Sequence, residues 1–497
     1  MKRSAPVEGK VSEQAIAMLA IKNLVSRSQT TTVDGLGEIE YTAPGDLYPY
    51  AWGWDAAVHA IGYSYFSIDR ALAELKASVG GQAKNGMIPH ITFYKDTPSK
   101  RYYPGPTVWS HSSQYGVPIS GISQPPLFAC ALETVIQRMR DQGMALESRA
   151  GVLHLLADSA LAYHEWWYRE RDLHGTGVVV STHPWETGMD NSGAWIDALA
   201  QVSLRDVPSY TRVDVKPDGS NRDERPTDKF YDQATVLLSY QRDNGTYSFR
   251  NEDGFVAKRI AGQMWQMGDI GINSILQRAN YALFEVLEAL GRDEDAARVK
   301  EWIRCASEGI ERLLWNEEMS SFVSYDFVAR KQVSIVTSGS FLAFYARVGT
   351  STQQSKMAAI LMEWCQSGKV QYLVPSTTPD HALFDPVKYW LGPVWPHVNK
   401  MIAEGLQAVG QTAAARQVVS DSLELLENHG LKEYYNPLKS TGQDSNDIKR
   451  GLGAGDFGFS SAVYPSFLEL ARQLDLRGDG IASGDYLALY DYVKSSM

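Results

Sequence analysis

Two stretches of this chain hold carboxylates in settings that suit a reaction as well as packing. His183-Pro184-Trp185-Glu186-Thr187-Gly188-Met189-Asp190-Asn191-Ser192 sets Glu186 and Asp190 beside a tryptophan. Gly188 permits a sharp turn there. A carboxyl held against an aromatic wall retains its proton, because desolvation disfavours the charged form, and a general acid needs that proton. Asp190-Asn191-Ser192 can also cap a helix starting near Gly193. Lys432-Glu433-Tyr434-Tyr435-Asn436-Pro437, followed by Thr441-Gly442, presents another acid in an aromatic loop. Glu433 is either half of an ion pair or a working carboxylate. Two carboxyl groups, one protonated and one ionised, are the minimum apparatus for cleaving a glycosidic bond.

Two further clusters supply walls. In Tyr48-Pro49-Tyr50-Ala51-Trp52-Gly53-Trp54-Asp55 a tryptophan can stack on a sugar ring while Asp55 accepts from its hydroxyls. An isolated Asp at that place would simply satisfy free NH groups of the helix that follows. Lys388-Tyr389-Trp390-Leu391-Gly392-Pro393-Val394-Trp395-Pro396 has no acid and reads as binding wall or rigid turn. Other machinery is missing from the sequence: no HExxH, CxxC, EF-hand loop, Walker loop or GxSxG elbow. Gly451-Leu452-Gly453-Ala454-Gly455 lacks a clear preceding strand and a following Gly-Lys-Ser/Thr. Ten scattered histidines give no metal site, so no metal and no cofactor are expected.

The elements that must position these clusters are helices. Ile272, Ile275, Leu276, Ala279, Leu283, Val286, Leu287 and Leu290 recur at helical spacing, and Gly291 stops that helix. A second helix runs to about Leu314, then a turn and a short extended segment over 320–326. Similar pairs read at 121–145 with 149–172, 335–348 with 353–368, and 393–409 with 411–428, with further helix at 52–79 and 459–474. Repeated antiparallel helix hairpins need neighbours to bury their apolar faces, and about twelve helices would close a double ring. Two stretches break the rhythm. Residues 80–118 are rich in Gly, Pro, Tyr and Trp; residues 204–262 are polar, with little helical period before about 229. Segments 80–118 and 204–228 are read as insertions in one catalytic domain spanning 1–497. The former and the loop at 437–456 are expected to act as lids. The tail 476–497 is amphipathic and gets no role.

Bulk composition narrows the function. With 44% hydrophobic and 21% charged residues over 497 positions, the chain can bury a large core. A net charge of −11 without a basic run argues against nucleic acid. No run of about 18 apolar residues predicts a membrane span. No apolar stretch follows the charged start, so no signal peptide is expected. Cys130, Cys305 and Cys365 read as buried reduced thiols, and the enzyme as cytoplasmic. Thirteen Trp, 26 Tyr and 15 Phe suit sugar stacking. A homo-oligomer is left open.

Taken in order, the clusters resemble glycoside hydrolase family 63, and within it the hydrolases of mannosylglycerate and glucosylglycerate. The resemblance covers about 45–475 and is carried by WETGMDNS at 185–192, YWLGPVWPHVN at 389–399, EYYNP at 433–437 and the aromatic-Trp-Asp motif from Tyr48 to Asp55. It implies an all-α (α/α)6 toroid and an inverting mechanism. Asp190 matches the family's general acid and Glu433 its general base. For the sugar it points to Trp52, Asp55, Trp185, Gly188 and Trp395; Tyr48 and Trp54 belong to the same early motif, and which tryptophan touches sugar stays open. For the aglycone it points to Gln124, Arg225, Tyr231 and Tyr389. An Arg fork independently suits the carboxylate of glycerate. The implied partner is a small α-glycoside. The alternatives are an α-glucosidase for neutral di- or oligosaccharides, on which Arg225 would be silent, a non-catalytic carbohydrate-binding protein, and a polysaccharide lyase, which the net charge disfavours.

Overall fold

The computed structural model describes residues 12–95, 102–242, 265–440, 448–478, 480–481 and 483–497. Six helices form an inner ring: Gly53–Tyr63, Phe128–Asp141, Ile270–Ala289, Ser338–Tyr345, Pro396–Ala408 and Gly458–Gln473. Each packs on the next, and the last packs back on the first. Six more lie outside them: Glu13–Ser26, Ile68–Gly81, Ala150–Glu170, Asp293–Leu314, Ser351–Gln366 and Thr412–His429. This is the (α/α)6 toroid. One cluster of buried apolar side chains runs through it from Ile16 to Val493.

Chain chemistry explains where each helix starts and stops. Asp269 accepts from the NH groups of Gly271 and Ile272, and Gly291 at φ +69° ends the same helix. Thr350 and Gln353 form a reciprocal capping box. Pro396 opens its helix at a position where no NH is needed. Outer helices are two-faced: Asp293–Leu314 buries Ala296, Val299, Ala306, Gly309, Ile310 and Leu314 and leaves its other face in water. Inner helices are more deeply buried, and every residue of Ser338–Tyr345 is buried, although Phe128–Asp141 keeps Gln137, Arg140 and Asp141 exposed. The ring closes where helix backbones meet closely. A Cβ on Gly62 would stand 2.7 Å from the Cα of Ala462, so only glycine lets the first and last inner helices touch.

Some elements differ from the sequence expectation. The span 52–79 is two helices, parted by a turn at 64–67. Gly193 opens a 3-10 turn and a four-residue helix, although Ser192 does cap it, accepting from the Ala194 NH at 3.3 Å. The tail helix Ser483–Ser496 packs on Glu13–Ser26. Cys130 is buried, but Cys305 and Cys365 are half-buried, because both sit on outer helices. The described parts of 80–118 fold onto the ring. Their strands join Trp52 in a four-stranded sheet ordered Ala51–Trp52, Ile91–Thr92, Pro118–Ile119, His111–Ser112. Residues 96–101 and 243–262 of the two irregular stretches, and Thr441-Gly442, lie outside the described residues. Among the described residues no helix is long and apolar enough to cross a membrane.

Candidate active site

All four sequence clusters line one cavity, and hydrogen bonds join the second to the third and the third to the fourth. Strand Ala51–Trp52 pairs with Ile91–Thr92 and leads straight into helix Gly53–Tyr63. The first-turn NH of Trp54 donates to Gln124 Oε1 at 3.1 Å. Asn191 Oδ1 accepts from the NH of Trp390 at 3.0 Å, joining the second cluster to the third. Val394 and Tyr435 exchange NH···O bonds of 2.8 and 2.9 Å, joining the third to the fourth. The ring places the motifs nearby; these bonds set their register.

The two acids of the second cluster have different fates. His183 Nδ1 accepts from the NH of Trp185 and starts the 3-10 turn Pro184–Thr187. Gly188 then turns at φ +69°, where a Cβ would press on Pro125 and Trp54 at 3.0 and 3.1 Å. Glu186 points away from the cavity into the core. It accepts from Arg171 at 2.7 Å, from the NH and hydroxyl of Thr182 and from the NH of Ser123. Both members of the Arg171–Glu186 pair are fully buried. Removing one partner strands a charge, so Glu186→Ala is expected to lower stability by about 3–5 kcal/mol. Denaturant melts of the variant check this; a loss below about 1 kcal/mol, the range of an exposed pair, would refute a structural role for Glu186.

Asp190 is half-buried and faces the cavity. Its carbonyl receives the Trp195 indole NH at 2.7 Å, which fixes the backbone beneath it. Burial pushes its carboxyl up to about 8; Asp214 and Glu433 push the same way, while its own backbone NH and Arg225 pull down. Asp55 is buried and also raised well above the usual carboxylate range, mainly by desolvation.

Glu433 is held very differently. Its Oε1 accepts from the Tyr48 hydroxyl at 2.9 Å and from Arg225 Nη1 at 3.2 Å. Its Oε2 accepts from Arg225 Nη2 and from the NH of Ala454, both at 2.8 Å. Arg225 follows the 3-10 turn Arg222–Glu224, which the Tyr434 hydroxyl and the NH of Tyr389 hold by the Glu224 carbonyl. Lys449 and the NH of Gly453 bind the Glu224 carboxylate. Tyr389 sits at φ +43°, a strained value for an aromatic residue, in the wall of the site.

These groups surround a cavity of about 900 Å³, its open mouth included. The thirteen residues matched to the acid, the base or the substrate site lie on its wall: Tyr48, Trp52, Trp54, Asp55, Gln124, Trp185, Gly188, Asp190, Arg225, Tyr231, Tyr389, Trp395 and Glu433. Of the candidate carboxylates only Glu186 does not. Trp52 and Trp54 both reach it. Trp395 stacks on Trp390 with ring centroids 4.0 Å apart and on Tyr434 at 4.7 Å, making a rigid aromatic floor. Sequence reasoning missed several lining residues. Tyr102, Tyr103 and Pro104 come from the aromatic-rich segment, which had signalled function without naming them. His90, held neutral by burial that lowers it to about 3, had only its Pro89 neighbour as a signal. Asp214 gave none; it lies in the polar insertion, clamped by Arg212 at 2.6 and 2.7 Å.

A helical double ring whose aromatic cavity holds carboxyls raised by burial together with a cation-paired one has the equipment of a glycoside hydrolase, and similarity to known proteins agrees. Residues 48–460 match the model of the mannosylglycerate hydrolase MGH1-like glycoside hydrolase domain, and the chain belongs to that family. It is 38% identical to a mannosylglycerate hydrolase of Thermus thermophilus, over 85% of this chain and 95% of that one. It is 30% identical to a glucosylglycerate hydrolase of Mycolicibacterium hassiacum, over 84% and 93%. The crystal structure of a GH63 mannosylglycerate hydrolase from Thermus thermophilus, in complex with Tris and D-glycerate, superposes with a TM-score of 0.77. The two share 33% identity over 91% of this chain and all of that one.

Proposed function

We propose that the protein hydrolyses a glycoside of glycerate, 2-O-glucosylglycerate or mannosylglycerate, by inversion, with Asp190 as general acid and Glu433 as general base. The observation that carries this is the charge pattern of the cavity. Among the described lining residues there are four carboxylates, Asp55, Asp190, Asp214 and Glu433, and a single guanidinium, Arg225. A small anionic aglycone has one place to go. The names of the similar enzymes support the same substrate class.

The chemistry follows from the two environments. Protonated Asp190 gives its proton to the glycosidic oxygen as the bond to the anomeric carbon breaks. Water attacks that carbon from the opposite face and passes a proton to Glu433. An inverting pair needs room for this water, with carboxyls roughly 6.5–9.5 Å apart. Trp395 and the other aromatic walls hold the ring, and Asp55 faces its hydroxyls. Gln124, Tyr231 and Tyr389 line the aglycone end beside Arg225.

The test is glycerate release from glucosylglycerate and mannosylglycerate, with maltose and kojibiose as neutral controls. Turnover of a glycerate glycoside that vanishes in Asp190→Ala is the expected result. Comparable turnover of the neutral disaccharides would replace this reading with a general α-glucosidase, and no turnover of any of the four would favour a binding protein.

A further inference from the structure

The base, as it stands, has no room for its water. A carboxylate offers about four lone-pair positions. On Glu433 all four have a donor: the Tyr48 hydroxyl and Arg225 Nη1 on one oxygen, Arg225 Nη2 and the Ala454 NH on the other. A nucleophilic water must donate to one of these oxygens before it can lose a proton to it. One donor must therefore leave.

The structure indicates which. The Ala454 NH is fixed, because Ala454 returns the bond by accepting from the Glu433 NH at 2.9 Å. Tyr48 is wedged edge-on against Trp52 and Phe457. Arg225 has two of the four positions, and its Nε is buried with no hydrogen-bond partner among the described residues. Apart from Glu433, its guanidinium is held by one neutral hydrogen bond, Nη1 to the Tyr48 hydroxyl at 3.0 Å, and by ring contacts with Tyr389 and Tyr434 at 5.2 and 5.8 Å from the centroids. It is also the only guanidinium or ammonium on the described cavity wall.

We propose that Arg225 is a substrate-released lock on Glu433: the base is capped in the free enzyme, and an anionic aglycone frees it by drawing the guanidinium onto its own carboxylate. The exchange trades one charge-paired fork for another, so the cation is never left alone. Glu433 keeps Tyr48 and Ala454 and gains open positions for water. A neutral aglycone has no charge to offer in exchange and leaves the base capped. Arg225 thereby selects for anionic substrates through turnover as well as through binding. This rests on Glu433 being the base. The released step then balances. Water bonds to the anomeric carbon and gives its proton to Glu433. The carbon–oxygen bond to glycerate breaks, and the leaving oxygen takes the proton of Asp190.

The test separates the charge signal from the leaving group. The α-glucosyl and α-mannosyl fluorides need the base but little help from the acid, and fluoride is small enough to leave the aglycone space free. Free D-glycerate should accelerate wild-type hydrolysis of the better fluoride by about fivefold or more, the low end of ordinary coupling between two ligands. Glycerol should not. In Arg225→Met the glycerate-free rate should rise above that of the wild type and no longer respond to glycerate. Fluoride hydrolysis that glycerate leaves unchanged or only inhibits in the wild type overturns the lock, whether or not the variant folds. If Glu433→Ala still hydrolyses the fluoride at the wild-type rate, the base assignment falls and the lock with it; if that variant is inactive and glycerate has no effect, only the lock falls.

Discussion

Asp190→Asn loses about 10²- to 10⁴-fold in turnover of a glycosylglycerate, the range that a general acid supplies, and far less with a glycosyl fluoride, whose leaving group needs no proton. In the wild type, kcat/KM falls as the pH rises through about 8, because burial holds the Asp190 carboxyl at that value and the working form is the protonated one. The same shift has a sign in stability. The folded value, about 8, exceeds the ordinary value of 3.8, so the folded state binds the proton more tightly. That contribution is full below about 3.8 and is lost as the pH rises to about 8. Asn, which never ionises, escapes this loss. Asp190→Asn should therefore melt higher than the wild type near pH 8 and gain little at about pH 4. A pH–rate profile and melts at the two pH values check both halves. A basic limb unmoved by the choice of leaving group, with equal melting differences at both pH values, would remove Asp190 from the acid's place.

The parts of this site that could be read from the chain are those where a local rule and a chemical need coincide. Gly188 announces a turn, and the turn exists; the helix read over 393–409 is there, starting at Pro396. The carboxylates of 183–192 were visible as a pair, but their sorting was not legible in residue types. Glu186 and Asp190 stand four positions apart, and what separates them is Arg171 and Thr182 below and the open cavity above. Those contacts exist only once the ring has closed. Every inner helix matched a stretch read as helical, 335–348 among them, whereas the outer helix Glu13–Ser26 was not read. Asp214 was invisible because a carboxylate in a polar insertion looks solvated until Arg212 clamps it. Arg225 was nameable as an anion reader, yet nothing local ties it to Glu433, which lies in the other half of the chain.

Glu433→Ala separates the second role from the first. Turnover of the glycoside should fall by roughly 10²- to 10⁴-fold, as for the acid, but the remedy differs. Azide is already a nucleophile and needs no base. In Glu433→Ala it should restore activity and give a glycosyl azide of inverted anomeric configuration, because it attacks from the face that water would have used. Asp190→Ala should gain nothing from azide, since the missing proton is still missing. Stability supplies an independent reading. Arg225 and Glu433 are each 1% exposed and share a bidentate fork. Deleting the carboxylate leaves a buried guanidinium without its ion-pair partner, and should cost about 3–5 kcal/mol, toward the lower end where cavity water reaches it. Adding Arg225→Met to that variant should recover part of the loss, because the stranded charge goes with it. Recovery by azide with no loss of stability would keep Glu433 as the base and refute the fork as a stabilising pair. The reverse, a destabilised variant that azide cannot rescue, would leave Glu433 as the structural partner of Arg225 and send the search for the base to Asp55, the other buried carboxylate facing the sugar end of the cavity.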